Sequence, residues 1–329
     1  ENLLKHPTFL NNEYHTKFID QTPSLMDFKK RRDRATKILT YIADITVNGH
    51  PETQGRAKPH AEAKLPRPPV KPQVAYPAGT RTLLDAKGPK AVVDWMKTQK
   101  QLLITDTTMR DGHQSLLATR MRTHDIAAVA DAYSKALPEL LSLECWGGAT
   151  FDVAMRFLTE DPWDRLAQIR ERAPNLLLQA LVRGSNGVGY TGYSDNVVTQ
   201  FIHEAAQGGV DLFRVFDCLN WVDNMRVSID AVLESGKLCE GAICYSGDLL
   251  DPQRPKYNMQ YYVDLTHELD KAGCHIICIK DMAGLLTPAV TAELVGKLKQ
   301  TLNLPVFLHS HRTYSPQTHK TQLLFPAAH

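Results

Sequence analysis

The stretch Ile276-Ile277-Cys278-Ile279-Lys280-Asp281 contains four apolar residues followed directly by two charged ones. A continuous apolar run is typical of a strand that is covered on both faces of a parallel sheet. Gly273, just before it, is placed to end a preceding helix. After it, Thr287-Pro288 supplies an N-cap and a proline at the first position of a helix over 289–300. The stretch therefore predicts one strand–helix unit.

The same alternation recurs from residue 101 onwards. Helical i, i+3, i+4, i+7 patterns occur at 126–133 and 198–205, and a further helix over 90–98 is expected to cover the bottom of a barrel. Seven such units favour an incomplete TIM-type (β/α)8 barrel over a doubly wound sheet, with the eighth strand missing. The predicted strands are 102–105, 141–145, 176–182, 212–216, 238–244, 276–279 and 306–308.

Composition excludes several classes of protein. The 329 residues are 43% hydrophobic and 22% charged, and the net charge of +2 is too near neutral to indicate nucleic acid or an anionic membrane as a partner. No apolar run approaches the roughly 20 residues that a membrane span needs. The six cysteines form no C-x-x-C pair, which favours buried thiols in a reducing compartment. We expect the cytoplasm, with the mitochondrial matrix as the alternative.

The chain divides into four predicted regions. Residues 1–50 form an N-terminal α/β segment with a basic run, and 51–85 form a proline-rich linker. The barrel occupies 86–311. The tail, 312–329, has neither a strand pattern nor a helical one. Because the sequence starts at Glu1, we expect it to be a piece of a longer protein.

Glycines 187, 189 and 192 match the letters of the dinucleotide-binding motif G-x-G-x-x-G. That motif needs a tight junction between a strand and a helix. Here four residues separate the glycines from the strand, and the helical pattern starts only near Val197. A loop on the rim of the barrel is the favoured interpretation.

Reactive groups in such a barrel lie at the carboxyl ends of its strands. His309 and His311 are two residues apart on a strand, so both imidazoles face one side and are able to bind one metal ion. Asp111, after the first strand, is a candidate carboxylate ligand. The set suits Zn²⁺, Mn²⁺ or Co²⁺. The alternative is two structural histidines at a strand end.

Lys280 begins at the mouth of an apolar strand, where an unpaired ammonium is costly to bury. Three interpretations stay open. It forms a salt bridge with Asp281 or another acid, it acts as an amine nucleophile, or CO₂ converts it to a carbamate whose oxygen binds the metal. Arg183 and Gln114 are candidates for holding a small carboxylate with an adjacent carbonyl, since a guanidinium matches a carboxylate and an amide donates to a carbonyl.

Four segments carry a family resemblance. Thr105-Asp106-Thr107-Thr108-Met109-Arg110-Asp111-Gly112-His113-Gln114-Ser115-Leu116-Leu117-Ala118-Thr119-Arg120 is similar to the signature of biotin-dependent carboxyltransferases that act on 2-oxo acids. So are the segments 146–152, 213–217 and 279–285. His6-Pro7-Thr8-Phe9, 18–20 and 31–37 resemble the linking segment of the pyruvate carboxylase family, which narrows the resemblance to that family.

The resemblance implies a set of roles. Asp111, His309, His311 and a carbamylated Lys280 would bind a divalent metal (Zn²⁺ or Mn²⁺), and Gln114 and Arg183 would hold pyruvate. Arg110 would line the catalytic site. Two further groups are implied: a pocket for carboxybiotin formed by Asp152 and Tyr190, and a region for the activator acetyl-CoA at Arg31, Asp33 and Arg34. The implied partners are a separate domain that carries biotin and further copies of the chain, as a tetramer.

The sequence departs from the family after His311, where Arg312-Thr313-Tyr314-Ser315 stands in place of Asp-Thr-Ser-Gly. The eighth strand, the family's proton-shuttling threonine, the biotin attachment site and the ATP-using domain are not found. The implied reaction is carboxyl transfer from carboxybiotin to pyruvate, and we expect it to be impaired in this chain. The alternatives are an oxaloacetate decarboxylase or transcarboxylase-type subunit, and an inactive piece with a structural or oligomer role.

Overall fold

A computed structural model describes residues 2–27, 34–55, 75–253 and 255–311. The chain divides into two compact units, 1–66 and 67–329. In the described ranges, no helix is both long enough and apolar enough to cross a membrane.

The described residues of the first unit form helices, turns and irregular segments, with no strand among them. Its α-helices are α1 to α4, and among its described residues Phe18 and Leu25 are the buried apolar ones. The α/β character expected for this segment is therefore not found in residues 2–27 and 34–55. On α4 the apolar residues Ile38, Tyr41, Ile42 and Ile45 follow the i, i+3, i+4, i+7 spacing of a helix, not the alternation of a strand. The helices are Asn2–Lys5, Pro7–Leu10, Phe18–Gln21 and Arg34–Asn48.

The second unit contains a curled sheet of seven parallel strands in the order in which they follow along the chain. This confirms the incomplete barrel predicted from the sequence. The two outer strands are the least buried, and the five between them are almost wholly buried. Strands β1 to β7 are Thr105–Asp106, Ser142–Gly147, Leu177–Val182, Leu212–Phe216, Leu238–Cys244, Ile276–Asp281 and Val306–Ser310.

Helices follow the strands and cover the outer face of the sheet. The helix before β6 ends before Gly273, whose φ of 92° lies in the left-handed region that glycine adopts without strain. The Thr287 hydroxyl accepts from the backbone N–H of Val290 and caps the next helix, as predicted. Helices α5 to α13 are Thr80–Thr98, His113–Leu116, Thr123–Ala136, Ala149–Arg156, Pro162–Arg172, Asp195–Gly208, Val222–Glu234, Met259–Lys271 and Pro288–Thr301.

Helix α5 closes the bottom of the sheet. It kinks at Gly88 (φ 76°), and its buried residues Leu84, Val92 and Val93 pack against the first residues of the central strands, such as Leu212. Thr80 and Leu84 lie in the segment that the sequence assigned to the linker, so the barrel unit begins before residue 86. Residues 56–74 of that linker, and the tail 312–329, lie outside the described residues.

Candidate active site

Three predicted metal ligands meet at the carboxyl ends of β1 and β7. Oδ2 of Asp111 lies 2.8 Å from Nε2 of His309 and 2.6 Å from Nε2 of His311, and the two imidazole nitrogens are 3.0 Å apart. One ligand atom from each residue lies within 4.8 Å of the others. Two imidazoles and one carboxylate form a donor set that fits Zn²⁺ or Mn²⁺ with positions left open.

The chain positions these ligands by different means. Asp111 lies in a single π-helical turn, Thr108–Gly112, which directly follows β1. His309 is part of β7, and the backbone N–H of His311 donates to the Asp281 carbonyl at 3.1 Å, so the ladder with β6 continues past the end of the strand. The two histidines therefore keep the spacing of a strand and face one side.

The ionisation of the site follows from burial and contacts. Burial alone would raise the pKa of Asp111, but hydrogen bonds from His309 and His311 and the charge of Arg110 hold it well below its usual range. Burial lowers the pKa of His309 to about 4. The carboxylate is thus charged, and His309 is neutral at physiological pH, as metal binding requires.

Lys280 lies beside the three ligands. Its Cα is paired in register with that of His309 on the neighbouring strand, so both side chains face the inner side of the sheet. The side chain is 4% exposed, and its Nζ lies 3.9 Å from the centre of the Phe216 ring. Burial and the charge of Arg110 lower its pKa.

The salt bridge considered for Lys280 is not formed in the described structure. Both carboxylate oxygens of Asp281 accept backbone N–H groups instead, those of Leu285 (2.8 Å) and Leu286 (3.0 Å). Among the residues that the structure describes, Lys280 has no ion-pair partner. Two interpretations of Lys280 remain open: an amine nucleophile, and a carbamate formed with CO₂.

A buried charge network, missed in the sequence, supports the ligands from below. The Arg214 guanidinium donates to both Glu240, through Nε, and Glu144 (3.4 Å), and its Nη1 also donates to Nδ1 of His309 (3.0 Å). Arg110 donates to Glu144 (2.7 Å) and to Oδ1 of Asp111 (2.9 Å). The ligands therefore rest on residues from three strands, β2, β4 and β5, and from the turn after β1.

The contact between Nη1 of Arg214 and Nδ1 of His309 shows which nitrogen of His309 carries the proton. A guanidinium only donates, so Nδ1 of His309 carries the lone pair and Nε2 carries the proton that faces Asp111. A metal ion at Nε2 would displace that proton, and Nδ1 would then need an acceptor. Oε2 of Glu144 is buried and has no hydrogen-bond partner in the described part of the chain. The site thus holds an unused acceptor close to the network.

The two residues predicted to hold a small carboxylate lie on the rim. Oε1 of Gln114 accepts from the backbone N–H of Ala149 (3.3 Å), which leaves the amide NH₂ as the donating end. Arg183 donates to the carbonyls of Val188 (3.2 Å) and Gly189 (3.1 Å) in the loop that follows β3. That glycine-containing loop is a rim loop, as predicted, because α10 begins only at Asp195.

Asp152 and Tyr190, which the resemblance assigns to one pocket, are in contact. The Tyr190 hydroxyl donates to Oδ2 of Asp152 at 3.2 Å, and both residues line a cavity of about 280 Å³ between α8 and the rim loop. Arg156 lines the same cavity and was not singled out in the sequence.

A larger groove runs along the seam between β1 and β7. Its volume is about 1210 Å³, and its lining extends from the end of α5 to Asp111, His309 and His311. Of the predicted effector residues, Arg31 and Asp33 lie outside the described residues, and the side chain of Arg34 is also outside them.

No protein-family model matches the chain. It is 53% identical to the pyruvate carboxylase of Bacillus subtilis over 315 residues, which are 95% of this chain and 27% of that protein. It is 46% identical to the mitochondrial pyruvate carboxylase of Homo sapiens over 314 residues, with the same coverage. Relatives thus include bacterial and mitochondrial proteins.

A solved structure supports the same relationship. The carboxyl transferase domain of Rhizobium etli pyruvate carboxylase, solved with pyruvate and biocytin, superposes with a TM-score of 0.77 at 61% identity. The match covers 90% of this chain and 49% of that one. The fold and site therefore define a barrel of the carboxyltransferase class. Within that class the chain is homologous to the pyruvate carboxylases, and it spans about a quarter of the length of the relatives it matches.

Proposed function

We propose that this chain provides the site at which a carboxyl group passes from carboxybiotin to pyruvate, giving oxaloacetate. The observation that carries the proposal is the meeting of Asp111, His309 and His311 beside Lys280, in a chain that is 61% identical to a carboxyl transferase domain solved with pyruvate and biocytin. Carboxybiotin would be presented by a biotin-carrying domain elsewhere in the parent protein.

A divalent cation, Zn²⁺ or Mn²⁺, would be held by the three ligands together with Lys280. When bound, it would supply Lewis-acid stabilisation of the negative charge that develops on the pyruvate carbonyl oxygen. All three ligands line the groove along the seam between β1 and β7.

Charge balance supports a carbamate at Lys280. The guanidinium groups of Arg110 and Arg214 offset the carboxylates of Glu144 and Glu240, so Asp111 contributes the one remaining negative charge. A divalent cation would then leave an excess positive charge in a buried site, which is costly. A carbamate, formed when the amine adds CO₂ and loses a proton, removes that excess and supplies an oxygen ligand.

Pyruvate would be held at the rim by its carboxylate and carbonyl. The Arg183 fork matches the carboxylate, and the free NH₂ of Gln114 donates to the carbonyl oxygen. Arg110 places a fixed positive charge beside the reacting atoms. Loss of a methyl proton then gives the enolate, whose carbon forms the new bond.

Carboxybiotin would occupy the cavity formed by Asp152 and Tyr190. There the bond between the ureido nitrogen and the carboxyl carbon breaks and releases CO₂. The proton lost from the methyl group of pyruvate goes to that nitrogen, and the enolate carbon attacks the CO₂. Asp152 and Tyr190 supply one acceptor and one donor for the ureido group.

The parent protein would respond to acetyl-CoA and assemble as a tetramer. The Rhizobium etli enzyme solved with the activator acetyl coenzyme-A is 60% identical and covers 98% of this chain. Arg31, Asp33 and Arg34 are proposed to form part of the effector site.

The test measures metal and chemistry separately. Bound Zn²⁺ and Mn²⁺ are quantified by mass spectrometry after purification with and without bicarbonate, and biotin-dependent decarboxylation of oxaloacetate is followed as pyruvate release. We expect His309→Ala to lose metal and activity, Lys280→Met to lose the bicarbonate-dependent part of the metal content, and Arg183→Gln to lose activity alone. Lys297→Gln, exposed on α13, is the matched control.

Metal content that is unchanged in both His309→Ala and Lys280→Met would contradict the proposed site. Release of pyruvate without any dependence on biotin would favour a decarboxylating lyase. If the wild-type chain binds metal but releases no pyruvate, the alternative of a structural or oligomer role gains.

A further inference from the structure

The cavity between α8 and the rim loop contains one opposed pair of charges. Its lining residues include a single anion, Asp152, and a single cation, Arg156. The other lining residues are uncharged: Phe151, Met155, Val188, Gly189, Tyr190, Thr191 and Tyr193. The charge of the cavity lining is therefore confined to two residues one helical turn apart.

Asp152 and Arg156 offset each other's charge. Nη2 of Arg156 lies 3.2 Å from Oδ1 of Asp152, and the Tyr190 hydroxyl takes the other oxygen at 3.2 Å. The guanidinium also lies 6.0 Å from the centre of the Tyr190 ring and 5.9 Å from that of Phe157. The Arg156 side chain is 58% exposed, so it is free to turn towards a molecule entering the cavity.

The carboxylated and uncarboxylated forms of the ureido ring differ in the charge that they bring to Asp152 and Arg156. An uncarboxylated ring is neutral, and its N–H and carbonyl match Asp152 and Tyr190. A carboxylated ring adds a negative charge, which Asp152 would repel. Only Arg156, among the residues that line the cavity, is able to offset that charge, and its fork matches a carboxylate with two parallel hydrogen bonds.

We propose that Arg156 is a specificity-determining residue that makes this cavity prefer the carboxylated ureido ring over the uncarboxylated one. This rests on the proposed function, in which the cavity receives carboxybiotin. When the carboxylated ring enters, Arg156 leaves Asp152 and binds the carboxyl group of the ring. Once the carboxyl group has left, Arg156 returns to Asp152, and the spent ring loses its strongest polar contact. The pair thereby favours release of the uncarboxylated carrier.

The test uses two probes that differ by one charge. Biotinamide is neutral, and its N1′-carboxymethyl derivative carries a carboxylate on the ureido nitrogen. Calorimetry measures both affinities for the wild type and for Arg156→Gln and Arg156→Lys. Arg172→Gln is the matched control, since Arg172 is a surface arginine on α9 that pairs with its neighbour Glu171.

We expect the wild type and the control to prefer the anionic probe by about tenfold, the low end for a charge-assisted hydrogen bond because the site is partly exposed. Arg156→Gln is expected to lose that preference through weaker binding of the anionic probe, while the neutral probe changes by less than about twofold. Arg156→Lys keeps the charge without the fork and is expected to lie between them.

Equal binding of the two probes by the wild type would overturn the inference, and so would an equal loss of both in Arg156→Gln, which indicates mere support of the cavity. Failure of the wild type to bind either probe would remove the ureido cavity from the proposed function as well. The metal content of the chain is independent of that result, so a failure of the metal site is distinguished from a failure here.

Discussion

The two faces of the seven-stranded sheet differ in chemistry at the level of the site, above the apolar residues that pack on α5. On β4, Phe213 and Val215 point outward and belong to the apolar core shared with the helices. Arg214, between them, points inward and joins Glu144 and Glu240. On β6 the inward residue at the strand end is Lys280. Successive residues of one strand thus serve different purposes, because side chains alternate across a sheet.

The difference separates what stabilises this protein from what gives it chemistry. The outer face buries apolar area, which is the main favourable contribution to folding. The inner face buries charges, and pairing them offsets a desolvation cost without a large net gain. We infer that the inner face is retained for the site it supports, since Arg110 and Arg214 contact Asp111 and His309 directly.

The largest expected effect comes from a substitution in the charge network of the inner face. Arg214→Met leaves Glu240 buried without a cation, whereas Glu144 keeps Arg110, and we expect a loss of about 3–5 kcal/mol in unfolding free energy. Because His309 also loses a contact, we expect metal affinity to fall by about 10–100-fold. Urea denaturation and metal titration of the same preparations measure the two effects.

A substitution on the outer face of the same strand should lower stability without changing metal affinity. Phe213→Ala removes a buried ring and leaves a cavity, which costs about 3–5 kcal/mol. Metal affinity of the folded protein should stay within about twofold, a change too small to indicate a lost contact. Comparable losses of metal affinity in Phe213→Ala and Arg214→Met would contradict the division between the two faces.

The smallest expected effect tests an acid that lies on neither face. Glu160 accepts from Arg122, Thr123 and Arg165, and although burial opposes this, these contacts lower its pKa to about 2 from 4.5. Its folded-state pKa lies below the unfolded value, so its stabilisation is complete above pH 4.5 and is lost as pH falls towards 2.

We expect this contribution to be about 1 kcal/mol, because the carboxylate is partly exposed and screened. Urea unfolding of Glu160→Gln at several pH values should show a weaker fall in stability between pH 4.5 and 2 than the wild type. Parallel curves for the two proteins would indicate that Glu160 carries no such contribution.

The sequence located the elements of the barrel with small errors. The runs 212–216 and 238–244 coincide with β4 and β5, because a strand buried on both faces is apolar throughout. The first strand was placed at 102–105, whereas only Thr105–Asp106 pairs with β2. Leu102 and Ile104 are exposed, so this apolar run marks neither a buried segment nor a paired strand.

The charged residues of the inner face carried a signal that sequence analysis did not use. Glu144, Arg214 and Glu240 interrupt strands that are otherwise apolar, which is unusual for buried positions. Which acid pairs with which base was not available, because the three residues come from three strands and their distances depend on the curl of the sheet. Arg156 carried no signal beyond an ordinary helical pair with Asp152.

The sequence by itself determined the strand–helix alternation, the rim on which the polar residues collect and the identity of the candidate ligands. Each of these follows from local periodicity and from residue type. Only the tertiary structure decided that Asp111 meets His309 and His311 across about 200 positions of chain, that Lys280 has no acid to pair with among the described residues, and that Arg214 contacts a ligand. Those outcomes depend on how the sheet brings its first and last strands together, and no local pattern encodes that distance.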